Sequence, residues 1–538
     1  MDSILNSPFL YNNNFNCGMP VKANAVPLKK TEIIMMNCHG KGICTMTAYF
    51  LLLLVNFYDM RFHFLSFLTV RLISFIIIAG YFNFKRRKKE VKSFSKEMDL
   101  TVGNPFRSLW KFALPVIGGN LFQLFYTLAD SVIVGKTLGA QALAAVGSTS
   151  IIVYFVLCFI QGFTNGFGIC LGQRCGAKDE TGMRKSISVS LILSVLFTVV
   201  VTLLCCVLAH PVLRLMQTPE DIYGDAYAYM FVVLLGTGAT VFYNMISNIL
   251  RALGDSRTPL CFLVFSSILN VILDIIFIVP FHMGVAGAAW ATVLSQLISS
   301  ICCLISGLKA FPVLHLRKKD FLGIKETAKV HIKLGFTMGF QMSVMCIGQL
   351  SMQASVNRLG SAAVAGYTAA TKADQVSVLV NNAMMTAISN YVAQNYGAGK
   401  KDRIRKGVRA CLIQTETLNA IMCVCILLLR KQIVELFITN PSVEIVTYSN
   451  GYLNIVSPCY FLLGLLAVYR TSIQSMQNSI APFAACMIEL VMRIGSTAIL
   501  TAFIGYYGVC LASPLAWVGA CALLIPVYYK MMKNTPSP

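Results

Sequence analysis

The apolar stretch FALPVIGGNLFQLFYTLADSVIVGKTLG, residues 112–139, carries one carboxylate, Asp130, near its end. A second apolar stretch, 259–281, carries Asn270 and Asp274 four residues apart, hence on one face of a helix. A third, 284–309, carries Thr292. Carboxylate, amide and hydroxyl oxygens are the ligands that a hard cation takes. Without a metal, two carboxylates brought close in a low dielectric do not both ionise readily, so the same cluster is expected to hold a proton. Either way it can carry a coupling ion. An interfacial Asp130 within reach of water is the alternative, because it lies only about five residues, roughly 8 Å, from the end of its helix.

Depth favours the cluster. Asp274 lies about 10 Å and Thr292 about 12 Å from the same surface, at 1.5 Å per residue. Four oxygen-bearing side chains on three helices then share one layer. Fifteen residues before Asp130, Pro115 removes a backbone hydrogen bond, and Gly118-Gly119 loosens the next turn. That stretch can act as a hinge, or the small residues can serve packing between helices.

The elements that must position these groups follow from composition. Of 538 residues 56% are hydrophobic and only 12% charged, with a mean hydropathy of +0.69, whereas soluble domains carry about 25% charged residues. This is the composition of an all-α polytopic membrane protein embedded in the lipid bilayer. The net charge of +22 does not imply nucleic acid, because Lys and Arg sit in short blocks between apolar runs, as in loops facing the cytoplasm. The 19 cysteines show no spacing that suggests a disulfide framework or a zinc site. Cys38-His39 with Cys44 is the nearest approach to a ligand pattern and is read as chance.

A transmembrane helix needs about 20 apolar residues, and twelve such runs follow residue 109, near 109–134, 142–172, 186–209, 224–250, 259–281, 284–309, 331–356, 362–392, 407–429, 446–469, 482–504 and 508–530. Basic loops alternate to one side, among them Arg174 to Lys185, Arg317 to Lys329 and Lys400 to Lys406, which places both ends of the twelve-helix unit in the cytoplasm. The loop LGQRCGAKDETGMRKSI (171–187) recurs as VAQNYGAGKKDRIRKGV (392–408) at an offset of 221, RALGDSRTP (251–259) aligns with QSMQNSIAP (474–482) at 223, and Gly284-Val285 aligns with Gly508-Val509 at 224. Two six-helix halves, 99–309 and 331–538, are thus repeated in parallel around a linker, 310–330, an arrangement typical of alternating-access transporters. Residues 1–98 stand outside the repeat. They form an extension that either adds a helix near 64–83 or precedes a true start at Met98, and the second reading is preferred because the repeat explains everything after Met98 and nothing before it.

The second half lacks the acidic layer. Ser351 aligns with Asp130 at offset 221, and Arg493 and Thr497 align with Asn270 and Asp274 at 223. Its charges within apolar runs are Lys372, Asp374, Glu489 and Arg493. Glu489 and Arg493 are spaced to pair on one helix face, while Lys372 and Asp374 face apart; a structural ion pair or contact with substrate in a cavity are both open for this set.

Pro115, Gln123 and Asp130 on the first helix, the Asn270 and Asp274 pair, Thr292, the GAK and GAG loops and the twofold repeat together resemble the MATE multidrug and toxic compound extrusion transporters, closest to the bacterial DinF-like branch, over about residues 99–533. The resemblance implies two six-helix bundles forming a V around a central cavity. It implies an exporter, not an enzyme, of organic cations and amphipathic compounds across the plasma membrane, driven by inward flow of Na⁺ or H⁺ and needing no other cofactor. Asp130, Asn270, Asp274 and Thr292 would then hold the ion, Gln123 would line the adjacent cavity, and the first helix would bend at Pro115. A monomer is expected. The acidic residues of the NorM-like pattern in the second half are missing, which puts coupling there in doubt. A lipid-linked oligosaccharide flippase of the same superfamily is the alternative; it handles pyrophosphate anions, for which Lys372 and Arg493 are the basic candidates and against which the acidic cluster argues. No HExxH, GxSxG or P-loop occurs, so neither an embedded enzyme nor ATP as energy source is expected.

Overall fold

A computed structural model describes residues 98–534 except Gln217, Thr439 and Asn440. The expectations for the extension, namely the extra helix near 64–83, the start at Met98 and the Cys38-His39-Cys44 grouping, fall outside or at the edge of the described residues. Fourteen α-helices follow one another: α1 Pro105–Leu138, α2 Ala140–Gly176, α3 Glu180–Leu215, α4 Glu220–Leu235, α5 Thr237–Ala252, α6 Arg257–Ile278, α7 Gly284–Ala310, α8 Lys325–Asn357, α9 Ser361–Gly397, α10 Lys401–Phe437, α11 Val443–Val456, α12 Tyr460–Ser475, α13 Ile480–Ile504 and α14 Tyr506–Asn534. No strand lies among the described residues.

Among the described residues ten helical stretches are long and apolar enough to cross a membrane, and α4 with α5 makes an eleventh, bent by 41°. α9 takes the twelfth place in the repeat; Lys372, Asp374 and its many hydroxyl and amide side chains lower its hydropathy. The chain is a multi-pass membrane protein of two six-span halves. Every element of one half has its counterpart in the other: α2 and α9 begin at Ala140 and Ser361, α3 and α10 at Glu180 and Lys401, α6 and α13 at Arg257 and Ile480.

The helices run longer than the apolar runs because polar and charged residues extend many of them at their ends. Two spans are broken, at repeat-equivalent places that hydropathy does not reveal. Between α4 and α5 stands Gly236, a poor helix former. Between α11 and α12 the 3₁₀ turn Ser457–Cys459 contains Pro458, which cannot donate to the preceding turn. The tight turns joining α1 to α2 and α8 to α9 need a positive φ, +90° at Gly139 and +101° at Gly360, which glycine adopts without a Cβ clash. At the start of α1, the Asn104 side chain accepts from the backbone N–H of Phe106 and Arg107, with Pro105 as first helical residue.

The halves meet along several helix pairs, α1 with α9 among them, and two seams stand out. α2 packs against α8 through Gly162 and Gly166 on one helix and Gly335 and Gly339 on the other; a methyl added to Gly166 would stand 2.8 Å from the Gly335 Cα. Small residues spaced by four let two backbones approach closely where no hydrophobic effect drives helices together. Phe159, Phe163, Phe336 and Phe340 stack edge to face around this contact. The second seam lies at the basic-loop end. Gln173 donates to the Ser475 carbonyl at 2.8 Å, and its counterpart Gln394 donates to the Ala252 carbonyl at 2.9 Å, so each half reaches into the other by the same bond. A methyl on Gly176 would collide with the Gln394 carbonyl and one on Gly397 with that of Gln173. The segment leading into α1 is fastened there too: Gln394 accepts from the Leu100 N–H, and Asn395 and Arg403 donate to the Leu100 carbonyl.

Candidate functional site

α6 carries Asn270 and Asp274 on the face it turns toward α1 and α7, and both are buried, at 1% and 0% exposure. The Asn270 amide nitrogen donates to the Thr292 hydroxyl of α7 at 3.3 Å, and that hydroxyl in turn donates to the Ala288 carbonyl at 3.2 Å. With its nitrogen engaged, Asn270 has its oxygen left to offer. Asp130 of α1 is half-buried, and its carboxyl lies within hydrogen-bonding reach of that of Asp274. The four residues expected to share a layer are therefore together.

Their oxygens are not satisfied by the protein. Asp130 Oδ1, Asn270 Oδ1 and both carboxylate oxygens of Asp274 are buried and have no hydrogen-bond partner. Most buried polar atoms are paired, and an unpaired one costs about 1–3 kcal/mol, so a cluster of four oxygens calls for a positive charge or a proton. The donor set, two carboxylates, one amide and one hydroxyl, fits a hard cation, and the facing carboxyls fit a shared proton equally well.

Two tyrosines and a glutamine that the sequence reading passed over complete the surroundings. Tyr126, one turn before Asp130 on α1, stands within electrostatic reach of both aspartates and hydrogen-bonding reach of Gln296, which itself accepts from Thr240 at 2.7 Å. Tyr229 of α4 faces the same pair. The four-residue spacings from Tyr126 to Asp130 and from Thr292 to Gln296 were usable signals; Tyr229 arrives from a helix that carries no candidate and gave none. Gln123 is exposed on α1. One turn earlier, Asn120 donates to the Leu379 carbonyl of α9 across the halves at 3.1 Å. Pro115 lies inside an unbroken α1, and Gly119 packs against Leu263 of α6.

In the second half the candidates separate. Lys372 is exposed and Asp374 half-buried, with Tyr452 donating to Asp374 at 3.4 Å. Glu489 accepts from Arg493 on its own helix at 3.0 Å and from Arg470 of α12 at 2.5 Å. Arg470 was missed because the apolar run was taken to end at 469, although its helix continues to Ser475. Glu416 of α10 was also missed; it is half-buried against Gly464, with both carboxylate oxygens unpartnered.

A family model described as MatE matches residues 115–276 and 318–499. The chain is 31% identical over 441 residues to the probable multidrug resistance protein YpnP of Bacillus subtilis (strain 168), covering 81% of this chain and 97% of that protein. It is 23% identical to an FAD transporter of Shewanella oneidensis, over 76% and 91% of the two chains. Among solved structures, a MOP superfamily transporter from Pyrococcus furiosus, described as having a binding pocket of reverse polarity that suggests a different function, superposes with a TM-score of 0.77 at 23% identity over 82% of this chain and 99% of that one.

Proposed function

Because the chain belongs to the MATE family of transporters, we propose that it is an antiporter that exports small amphipathic or cationic compounds across the plasma membrane in exchange for Na⁺ or H⁺. The observation that carries this reading is the set of unpartnered oxygens on Asp130, Asn270 and Asp274. The ion is a second substrate. In its absence two carboxylates face each other across α1 and α6, which favours their separation; with a cation or a proton between them the same faces attract.

A ligand shifts a two-state equilibrium only through its differential affinity for the states. α1 is suited to report the ion's presence, because it touches both halves: Asp130 faces α6, while Asn120 bonds to Leu379 of α9. Ion binding that draws α1 toward α6 and α7 changes its fit against α9, and with it the space beside Gln123 where a compound would sit. Both ends of the transporting unit are placed in the cytoplasm by the basic loops, so the glutamine seam lies on the cytoplasmic side.

The test is Asp130→Asn, assayed as gradient-driven efflux of a fluorescent cation from everted vesicles at matched protein level. Asparagine keeps the shape and an oxygen but neither the charge that binds Na⁺ nor the titrating proton. Export should be abolished, while insertion is slightly easier because an amide costs less in hydrocarbon than a carboxylate. Wild-type rates would show that Asp130 is an interfacial residue and would refute the mechanism. Separate Na⁺ and H⁺ gradients identify the coupling ion.

A further inference from the structure

Two buried clusters are short of opposite things: around Asp130 and Asp274 oxygens lack donors, and around Arg470 and Arg493 guanidinium nitrogens lack acceptors. Arg470, Glu489 and Arg493 are 5%, 3% and 6% exposed. Glu489 spends one oxygen on each arginine, which leaves two positive charges against one negative. Arg470 Nε and Arg493 Nε have no partner, nor does the Gln341 Nε2 of α8, and Arg470 Nη1 finds only the thioether of Met345, at 3.6 Å. Burying a charge without a full set of partners is costly.

Of these groups, Arg493 borders a small cleft between α8 and α13 that Val344, Met345, Gly348, Cys486, Glu489 and Leu490 also line. Gly348 lets the Arg493 side chain lie close against α8, since a methyl at that position would stand 3.1 Å from the Arg493 Cδ. The remaining acid near Arg493 is Asp374 of α9, within electrostatic reach. It makes no ion pair with Arg493 among the described residues, and one of its oxygens is turned to Tyr452. Arg493 stands where the repeat has Asn270 in the first half, so the layer that is acidic in one half is basic in the other.

Resting on the export reading above, we propose that Arg493 and Arg470, bridged by Glu489, form a binding site for the anionic group, a carboxylate or a phosphate, of a transported compound. A guanidinium offers paired N–H donors that match both anions. Asp374 balances Arg493 from a distance until such a group arrives. The transporter then takes zwitterions and anions as well as cations, with the positive end of a zwitterion beyond this site.

Binding of norfloxacin, which carries a carboxylate, and of its ethyl ester, which does not, would be measured by equilibrium dialysis on the full-length protein in nanodiscs. Arg493→Gln leaves Glu489 paired with Arg470 and so keeps the local charge balanced; a melting curve checks the fold. The acid should bind about tenfold more weakly to this variant, the ester within about twofold, and Arg493→Lys should recover part of the loss. Inorganic phosphate should displace the acid but not the ester. Equal losses for acid and ester, no loss for the acid, or displacement of both by phosphate would overturn the anion site. Wild-type binding of the ester without the acid would overturn it while leaving cation export standing. Binding of neither would remove the export reading and the anion site with it.

Discussion

Gln394→Ala isolates what holds the halves together at the basic-loop end. The side chain is 2% exposed; it accepts from the Leu100 N–H at 3.0 Å and donates to the Ala252 carbonyl at 2.9 Å. Alanine preserves the helix propensity of α9, so the change removes those bonds and little else. Two net hydrogen bonds are worth about 2 kcal/mol, and more if the freed backbone groups stay buried and dry, at about 1–3 kcal/mol each. Both bonds reach out of α9, one to the segment leading into α1 and one to the end of α5. Their cost is relieved when the halves part and water reaches the freed groups, so the loss appears as a population shift. At 1.4 kcal/mol per factor of ten, 2 kcal/mol is about 30-fold toward the parted state. Spin labels on genetically encoded side chains at Ala177 and Ala398, which leave the native cysteines alone, would report the separation by pulsed dipolar spectroscopy in nanodiscs. The expected result is a second, longer distance in the variant, and the same for the repeat-equivalent Gln173→Ala. An unchanged distance distribution in both variants, with export unimpaired, would refute the idea that these bonds hold the seam.

Gly397→Ala should act in the same direction by overpacking, because the methyl meets a backbone carbonyl that cannot turn away; about 1–3 kcal/mol against the joined state is expected, read by the same labels. Glu489→Gln should destabilise far more than Arg493→Gln, by about 3–5 kcal/mol, because it leaves two buried guanidinium groups without their common counter-charge; comparing the melting temperatures of the two variants in detergent decides this, and equal values would mean the triad is solvated. Asp274→Asn should abolish export as Asp130→Asn does, and the double variant should be little worse than either single one if the pair acts as a unit; additive losses in vesicle efflux would show independent roles. A cytoplasm-active reporter fused after Pro538 should be active, and a periplasm-active one silent, if the basic loops set the orientation.

Much of the architecture was legible because its causes are local or periodic. Apolar length sets the spans, and the repeat, copied at a nearly constant offset, gave the two halves before any contact was known. The acidic layer was legible by counting depth along three helices, since a rise of 1.5 Å per residue converts position into height. The broken spans were not, because the apolar run continues through both Gly236 and Pro458, and hydropathy measures transfer from water and says nothing of backbone geometry. The seam of Gly162, Gly166, Gly335 and Gly339 rests on two Gly-x-x-x-Gly spacings that the sequence reading did not single out, and nothing in the sequence says which glycine face meets which.

Arg470 marks the boundary between the two kinds of knowledge. A charge at the end of an apolar run reads as the end of the span, because a lone charge in hydrocarbon is expensive. What makes it tolerable is Glu489 on another helix, and that pairing is a fact of packing. The sequence by itself determined the membrane class, the twofold repeat and the residues proposed to hold an ion, since these depend on composition and spacing along one chain. Only the tertiary structure decided that Asp130 faces Asp274, that Gln173 and Gln394 exchange bonds across the halves, and that two arginines share one glutamate, since each needs helices far apart in sequence to stand at one depth with the right faces together.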